Sequence, residues 1–116
     1  MSEQNCLFCK IANKQIPAKI VFEDEFDVAF EDINPQAPTH ILLIPRTHVA
    51  SLDQLEAQHH EMVGRLVHRA AEIARQRKLD DRGYRLVVNC GAGAGQSVFH
   101  IHVHLLGGRN FGWPPG

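Results

Sequence analysis

Three histidines stand at alternate positions in the run His100-Ile101-His102-Val103-His104, and this run constrains the chain more than any other feature. Side chains alternate faces along a strand. A strand over about 98–106 therefore puts His100, His102 and His104 on one face and Ile101, Val103 and Leu105 on the other. The apolar face needs a cover. The imidazole face needs partners, because three unpaired rings inside a core are costly.

The cover is legible upstream. Over about residues 54–78, Met62, Leu66, Ala70 and Ile73 recur at three- and four-residue spacing, flanked by Val63, Val67 and Ala74. That is one wide apolar stripe on a long helix. Glu61, Arg65, Arg69, Glu72, Arg75 and Lys78 read as its solvated face. Strands are expected at 19–23 and 27–31 around the acidic turn Asp24-Glu25-Phe26. A further strand at Thr39–Ile44 is stopped by Pro45, and another runs over 84–89. Residues 32–38, with Pro35 and Pro38, form a loop, and residues 6–13 form a short helix or turn. The tail from Gly107 to Gly116 is an irregular arm. The order specifies one α+β domain, an antiparallel sheet with the long helix on one face. At 116 residues there is room for one core.

Composition narrows the function. A net charge of -1 lacks the basic surplus that a sequence-independent grip on DNA or RNA needs, and leaves the binding of a single nucleotide open. No apolar run reaches the roughly 20 residues of a membrane span. The N-terminal stretch has no basic and then apolar leader pattern, so the expected compartment is the cytoplasm. Three cysteines, Cys6, Cys9 and Cys90, are an odd number for a disulfide framework. Cys90 is expected to be a small buried filler.

The imidazole face has three readings: polar groups on a solvated sheet, a metal site, or covalent catalysis. Neutral imidazole is abundant at pH 7 and forms a phosphorus–nitrogen bond that water can later break. His102, flanked on both sides, is the best-supported nucleophile. The loop Cys90–Gly95 carries Gly91, Gly93 and Gly95, which let a backbone approach phosphate. Gln96 and Ser97 add donors. Taken alone, this loop also fits a flexible hairpin connection.

At His100 through Leu106 the sequence resembles the histidine triad family, with its alternating histidine and apolar motif, and within it the Hint branch. The segments Ile16-Pro17-Ala18-Lys19-Ile20, Asp32 through His40, Gly95 through His100 and the ending Trp113-Pro114-Pro115-Gly116 extend the likeness over nearly the whole chain. The resemblance implies a HIT-like fold of about five antiparallel strands with one long and one short N-terminal helix. It implies a hydrolase of purine nucleoside 5′-phosphoramidates, with His102 as nucleophile. Ser97 would donate near the leaving group, His104 would bind a phosphate oxygen, and the backbone carbonyl of His40 would orient the His102 ring. Asp32 would hold the ribose, while Phe8, Ile11, Phe30 and Ile33 form the base slot. Asn89 and Gln96 would serve the phosphate region. A homodimer joined through the long helix and adjoining strand is implied, with Trp113 reaching toward the partner's site. Two other functions stay open: a dinucleoside polyphosphate hydrolase or nucleotidyl transferase, and a nucleotide-binding scaffold with residual hydrolysis.

Cys6-Leu7-Phe8-Cys9 is a C-x-x-C pair, which in a reducing compartment signals metal binding or redox chemistry. Two ligands fall short of the four a structural zinc takes. The resemblance supplies the others, His48 and His100, and so implies a zinc held by Cys6, Cys9, His48 and His100 with no organic cofactor.

Overall fold

The computed structural model describes residues 5–116. Residues 1–4, part of the N-terminal stretch read above for a leader, lie outside that range. Among the described residues there are two α-helices, α1 (Leu7–Ala12) and α2 (His60–Gln76), and five strands. The strands are β1 (Ile20–Glu23), β2 (Asp27–Glu31), β3 (Thr39–Pro45), β4 (Tyr84–Val87) and β5 (Val103–Gly107). They form one antiparallel sheet in the order β1-β2-β3-β5-β4. No helix among these residues is long and apolar enough to cross a membrane.

Helices cover both faces of the sheet, and this explains its composition. Ala29, Ile41, Leu43, Val103 and Leu105 pack against Leu66, Ala70, Ile73 and Ala74 of α2. On the opposite face Val28, Phe30, Leu42 and Ile44 pack against Phe8, Cys9, Ile11 and Ala12 of α1. The run from His40 to Pro45 is therefore buried throughout, as a short continuous apolar segment permits.

The long helix begins at His60 rather than near 54. The apolar stripe starts at Met62, and the chain before it makes two single 3₁₀ turns, Leu52–Gln54 and Ala57–His59. The second is closed by a reciprocal cap, in which Nδ1 of His59 accepts the Glu56 backbone N–H at 3.0 Å. α2 ends in a Schellman motif: the N–H groups of Leu79 and Lys78 reach the carbonyls of Ala74 and Arg75, with Lys78 at φ +60°. Leu79 is buried behind that turn.

The histidine run departs from the expected strand. The ladder starts at Val103, and residues 98–102 lie outside it. The facing pattern survives nonetheless. Ile101 packs with Val49 and Met62, whereas the rings of His100 and His102 stand beside Phe8 on the α1 side, 6.1 and 5.0 Å between centroids.

Candidate active site

Leaving the ladder gives the backbone at His100 a local task. Its carbonyl accepts from Nδ1 of His102 at 2.7 Å. A hydrogen-bonded Nδ1–H leaves the other nitrogen, Nε2, as a bare lone pair. The expectation that the His40 carbonyl orients this ring is thus corrected. The His40 carbonyl accepts the backbone N–H of Asp32 at 3.0 Å, and it is the turn over 98–102 that frees the His100 carbonyl.

His102 and His104 open onto a cavity of about 320 Å³. Its apolar wall includes Phe8, Ile11, Phe30 and Ile33, all expected there, and Asp32 and Ser97 stand among the polar groups. Phe8 meets Phe30 edge to face at 5.4 Å and presents itself at 90° to the His102 ring. The slot also contains Leu7, Ile16, Pro17, Ala18 and Val98. Sequence reasoning gave these no role, although Ile16-Pro17-Ala18 lay in a segment that carried the resemblance.

Two expected binding residues, Gln96 and Asn89, are not brought to this cavity. The side chain of Gln96 is 3% exposed. Its Oε1 accepts the Gly91 N–H, and its Nε2 donates to the carbonyls of Ala50 and Val98. Both amide hydrogens are spent, so Gln96 staples the glycine loop instead of offering phosphate a donor. Asn89 does not line the cavity; its Nδ2 lies across the loop, 3.9 Å from where a Cβ on Gly95 would stand. Trp113 is 84% exposed on the arm. Cys90 is exposed too, not a buried filler. It begins a loop held by positive-φ glycines, Gly91 and Gly95, that runs over the surface.

Behind the cavity the hydrogen bonds fix the remaining rings. The Gln36 N–H donates to Nδ1 of His40 at 3.0 Å, so His40 carries its proton on Nε2. That proton faces Nδ1 of His104 at 2.9 Å, with an Asp32 oxygen at 3.4 Å. His104 accepts at Nδ1 and therefore presents an Nε2–H donor. The cavity thus sees two unlike imidazoles, a lone pair on His102 and an N–H on His104. Asp32, His40 and His104 are also close enough together to suggest a cation. A metal on Nε2 of His40 would force its proton onto Nδ1, against the Gln36 donor, so the trio is a hydrogen-bonded chain.

Burial keeps these rings neutral. It lowers the pKa of His102 and His40 below the usual imidazole value, against the opposing pull of the Asp32 charge on both and of the His100 carbonyl on His102. Burial, reinforced by His102 and His40, pushes His104 down to about 4. At neutral pH the lone pair on His102 is available.

Beside this site four donors converge: the thiols of Cys6 and Cys9 and the rings of His48 and His100. His100 is fully buried, and its Nε2–H donates to the Pro45 carbonyl at 2.7 Å, which turns the lone pair of Nδ1 toward the thiols. Nδ1 of His100 lies 3.3 Å from Cys6 Sγ, 3.4 Å from Cys9 Sγ and 3.2 Å from His48 Nδ1. Cys9 Sγ is 3.4 Å from His48 Nδ1. Tetrahedral zinc, with bonds of about 2.0 Å to nitrogen and 2.3 Å to sulfur, needs donor separations of about 3.3–3.8 Å. The set fits a metal ion with little movement, and the Pro45 carbonyl, by accepting the Nε2–H, fixes the His100 ring with Nδ1 free to ligate.

With this geometry in hand, the comparisons with known proteins are specific. Residues 13–111 match the model of the HIT domain. A 14 kDa zinc-binding protein of Zea mays is 50% identical over the whole chain and 91% of its own length. A purine nucleoside phosphoramidase of Escherichia coli is 46% identical over 97% of this chain and 93% of its own. The crystal structure of a HIT family hydrolase from Legionella pneumophila superposes with a TM-score of 0.95 at 52% identity, covering 97% of this chain and all of that one. The match to the HIT domain over residues 13–111, with relatives 46% and 50% identical over nearly the whole chain, shows that the chain belongs to the HIT family.

Proposed function

We propose that this protein hydrolyses purine nucleoside 5′-phosphoramidates through a nucleotidyl-histidine intermediate on His102. The observation that carries the proposal is the 2.7 Å bond from His102 Nδ1 to the His100 carbonyl, which leaves a neutral nucleophile at the mouth of an apolar slot. Kinship with a purine nucleoside phosphoramidase supports nucleotide hydrolysis as the reaction class.

The base enters between Phe8, Ile11, Phe30 and Ile33, and Asp32 accepts the ribose hydroxyls. Nε2 of His102 attacks the α-phosphorus as the bond from phosphorus to the amine breaks, and the amine departs with a proton delivered from solvent through the Ser97 hydroxyl. Ser97 donates near the leaving group, and His104 Nε2–H donates to the phosphoryl oxygen that gains charge. Water then releases the nucleoside monophosphate. His40 acts through His104 and is a positioning residue. A zinc held by Cys6, Cys9, His48 and His100 is assigned a structural role, since four protein ligands leave no open position. Thiolate ligands suit a reducing compartment, consistent with the cytoplasm.

A homodimer is proposed on two surfaces: the unpaired outer edge of β4 and the outward stripe of α2, where Val67 is 44% exposed. Trp113, exposed on its arm, would then find its cover across the interface. Sedimentation should show a dimer that Val67→Asp converts to monomer.

The reaction test is a chemical trap. Mixing with adenosine 5′-phosphoramidate and quenching in base should place a nucleotidyl mass on His102. His102→Asn should lose that adduct and at least about a thousandfold in rate. Preserved turnover in the variant would reject His102, and faster turnover of a diadenosine polyphosphate would favour the polyphosphate reading.

A further inference from the structure

The hydrogen-bonded path behind His104 does not stop at His40. Gln36, whose N–H is bound to His40 Nδ1, sits in the loop between β2 and β3. Two groups just beyond β5 hold that loop from outside. Nε of Arg109 donates to the Gln36 carbonyl at 2.9 Å. Its guanidinium lies over the Phe111 ring, 4.3 Å from the centroid, and Arg85 lies 5.2 Å from the same ring. Arg85 also donates to the Gly112 carbonyl at 2.9 Å, so the root of the arm is tied to β4. The second group is Gly108. It has φ +90°, and a Cβ there would stand 2.9 Å from Cβ of Pro38. Conformation and space both demand glycine at this contact.

We propose that the Gly108–Arg109 segment is a positioning element for the active site. By seating the loop of residues 34–38 it keeps the Gln36 N–H on His40, and so holds the proton of His104 on Nε2, facing the cavity. Neither residue touches substrate; both act through His40. If the loop lifts, Nδ1 of His40 loses its donor and can take the ring proton. Its Nε2 then becomes an acceptor, and His104 turns its own proton inward onto Nδ1 to meet it. The two rings still carry two protons, but His104 now faces the cavity with a lone pair. A lone pair repels the phosphoryl oxygen that an N–H would stabilise.

The catalytic consequence rests on the phosphoramidase reading above; the proton placement does not, so the experiment reads the two separately. Two-bond proton–nitrogen correlation spectra of the full chain with ¹⁵N-labelled histidine report which ring nitrogen bears hydrogen. The wild type should show Nε2–H on both His40 and His104, and Nδ1–H on His102. Gly108→Ala and Arg109→Ala should move His40 toward Nδ1–H and leave His102 unchanged. Arg109→Lys, which can still donate to the Gln36 carbonyl, should return most of the wild-type spectrum. With adenosine 5′-phosphoramidate, Arg109→Ala should lower kcat about fivefold at nearly constant KM, the effect of one neutral hydrogen bond. Wild-type His40 signals in both alanine variants, or Nδ1–H on His40 in the wild type, would overturn the proposal. Should Gly108→Ala not fold, Arg109→Ala, a surface change, decides alone. Absence of any phosphoramidate turnover in the wild type would refute the functional reading, and the spectra would still judge this one.

Discussion

At the scale of single residues, the imidazoles differ because each ring meets a different backbone group. His100 donates its N–H to the Pro45 carbonyl, His102 donates its N–H to the His100 carbonyl, and His40 accepts the backbone N–H of Gln36. Alternation in the sequence was enough to bring His100, His102 and His104 to one side. It could not say which carbonyl holds which ring, because that depends on the chain leaving the ladder at 98–102, a tertiary event. Gln96 teaches the same lesson. Beside a glycine loop an amide reads as a phosphate donor, yet burial has turned it into a staple. Gln96→Ala should therefore act on stability: orphaning the Gly91 N–H and two carbonyls costs about 1–3 kcal/mol for the buried group left unpaired, measurable by urea unfolding. A phosphate donor would instead show unchanged stability with raised KM.

At the scale of elements, α2 and β2 are joined by a buried charge as well as by hydrocarbon. Asp27 is 1% exposed, neither carboxylate oxygen has a hydrogen bond, and Nε of Arg65 lies 3.6 Å away. Desolvation raises the Asp27 pKa above 3.8, against the pull of Arg65. A carboxyl with a raised folded pKa binds its proton more tightly when folded. The folded state therefore loses stability as pH climbs from the unfolded pKa through the folded one, and the loss is complete above it. Asp27→Asn should remove that slope. Compared with wild type by urea melts, the variant should gain stability progressively from pH 3.8 toward neutrality and then stay level. Arg65→Ala should do the opposite, costing about 3 kcal/mol by leaving the carboxylate without its counter-charge. The elements themselves were legible because their periods are clean. β2 lies where the acidic turn before it puts it, and α2 follows its stripe from His60. The N-terminal part of the expected helix was not, since Leu52 and Leu55 keep the helical spacing of the stripe while the chain there breaks into two 3₁₀ turns, which periodicity does not report. The buried Asp27 was hidden by its place beside an acidic turn.

At the scale of the whole molecule, the Cys6, Cys9, His48 and His100 cluster ties three distant stretches of chain: the start of α1, the segment after β3 and the approach to β5. Its pairing of Cys6 with Cys9 could be read from spacing, while the two histidines required the family resemblance, because 39 residues or more separate them from the thiols. Metal analysis of protein purified without chelator should give about one zinc per chain. Stripping it should lower Tm by about 10 °C or more, because binding energy at a structural site is folding energy. A chain that carries no zinc and melts identically with and without chelator would remove the metal from this account.

One residue of that cluster belongs to two systems at once. The ring of His100 faces the thiols, and its carbonyl grips His102. A disturbance at that ring is therefore passed through one residue to the nitrogen proposed to attack, whereas Cys6 and His48 reach His102 only by way of His100. Exchanging His48 for a weaker ligand should thus tune the nucleophile gently, while any replacement at position 100 rewires protein and chemistry together.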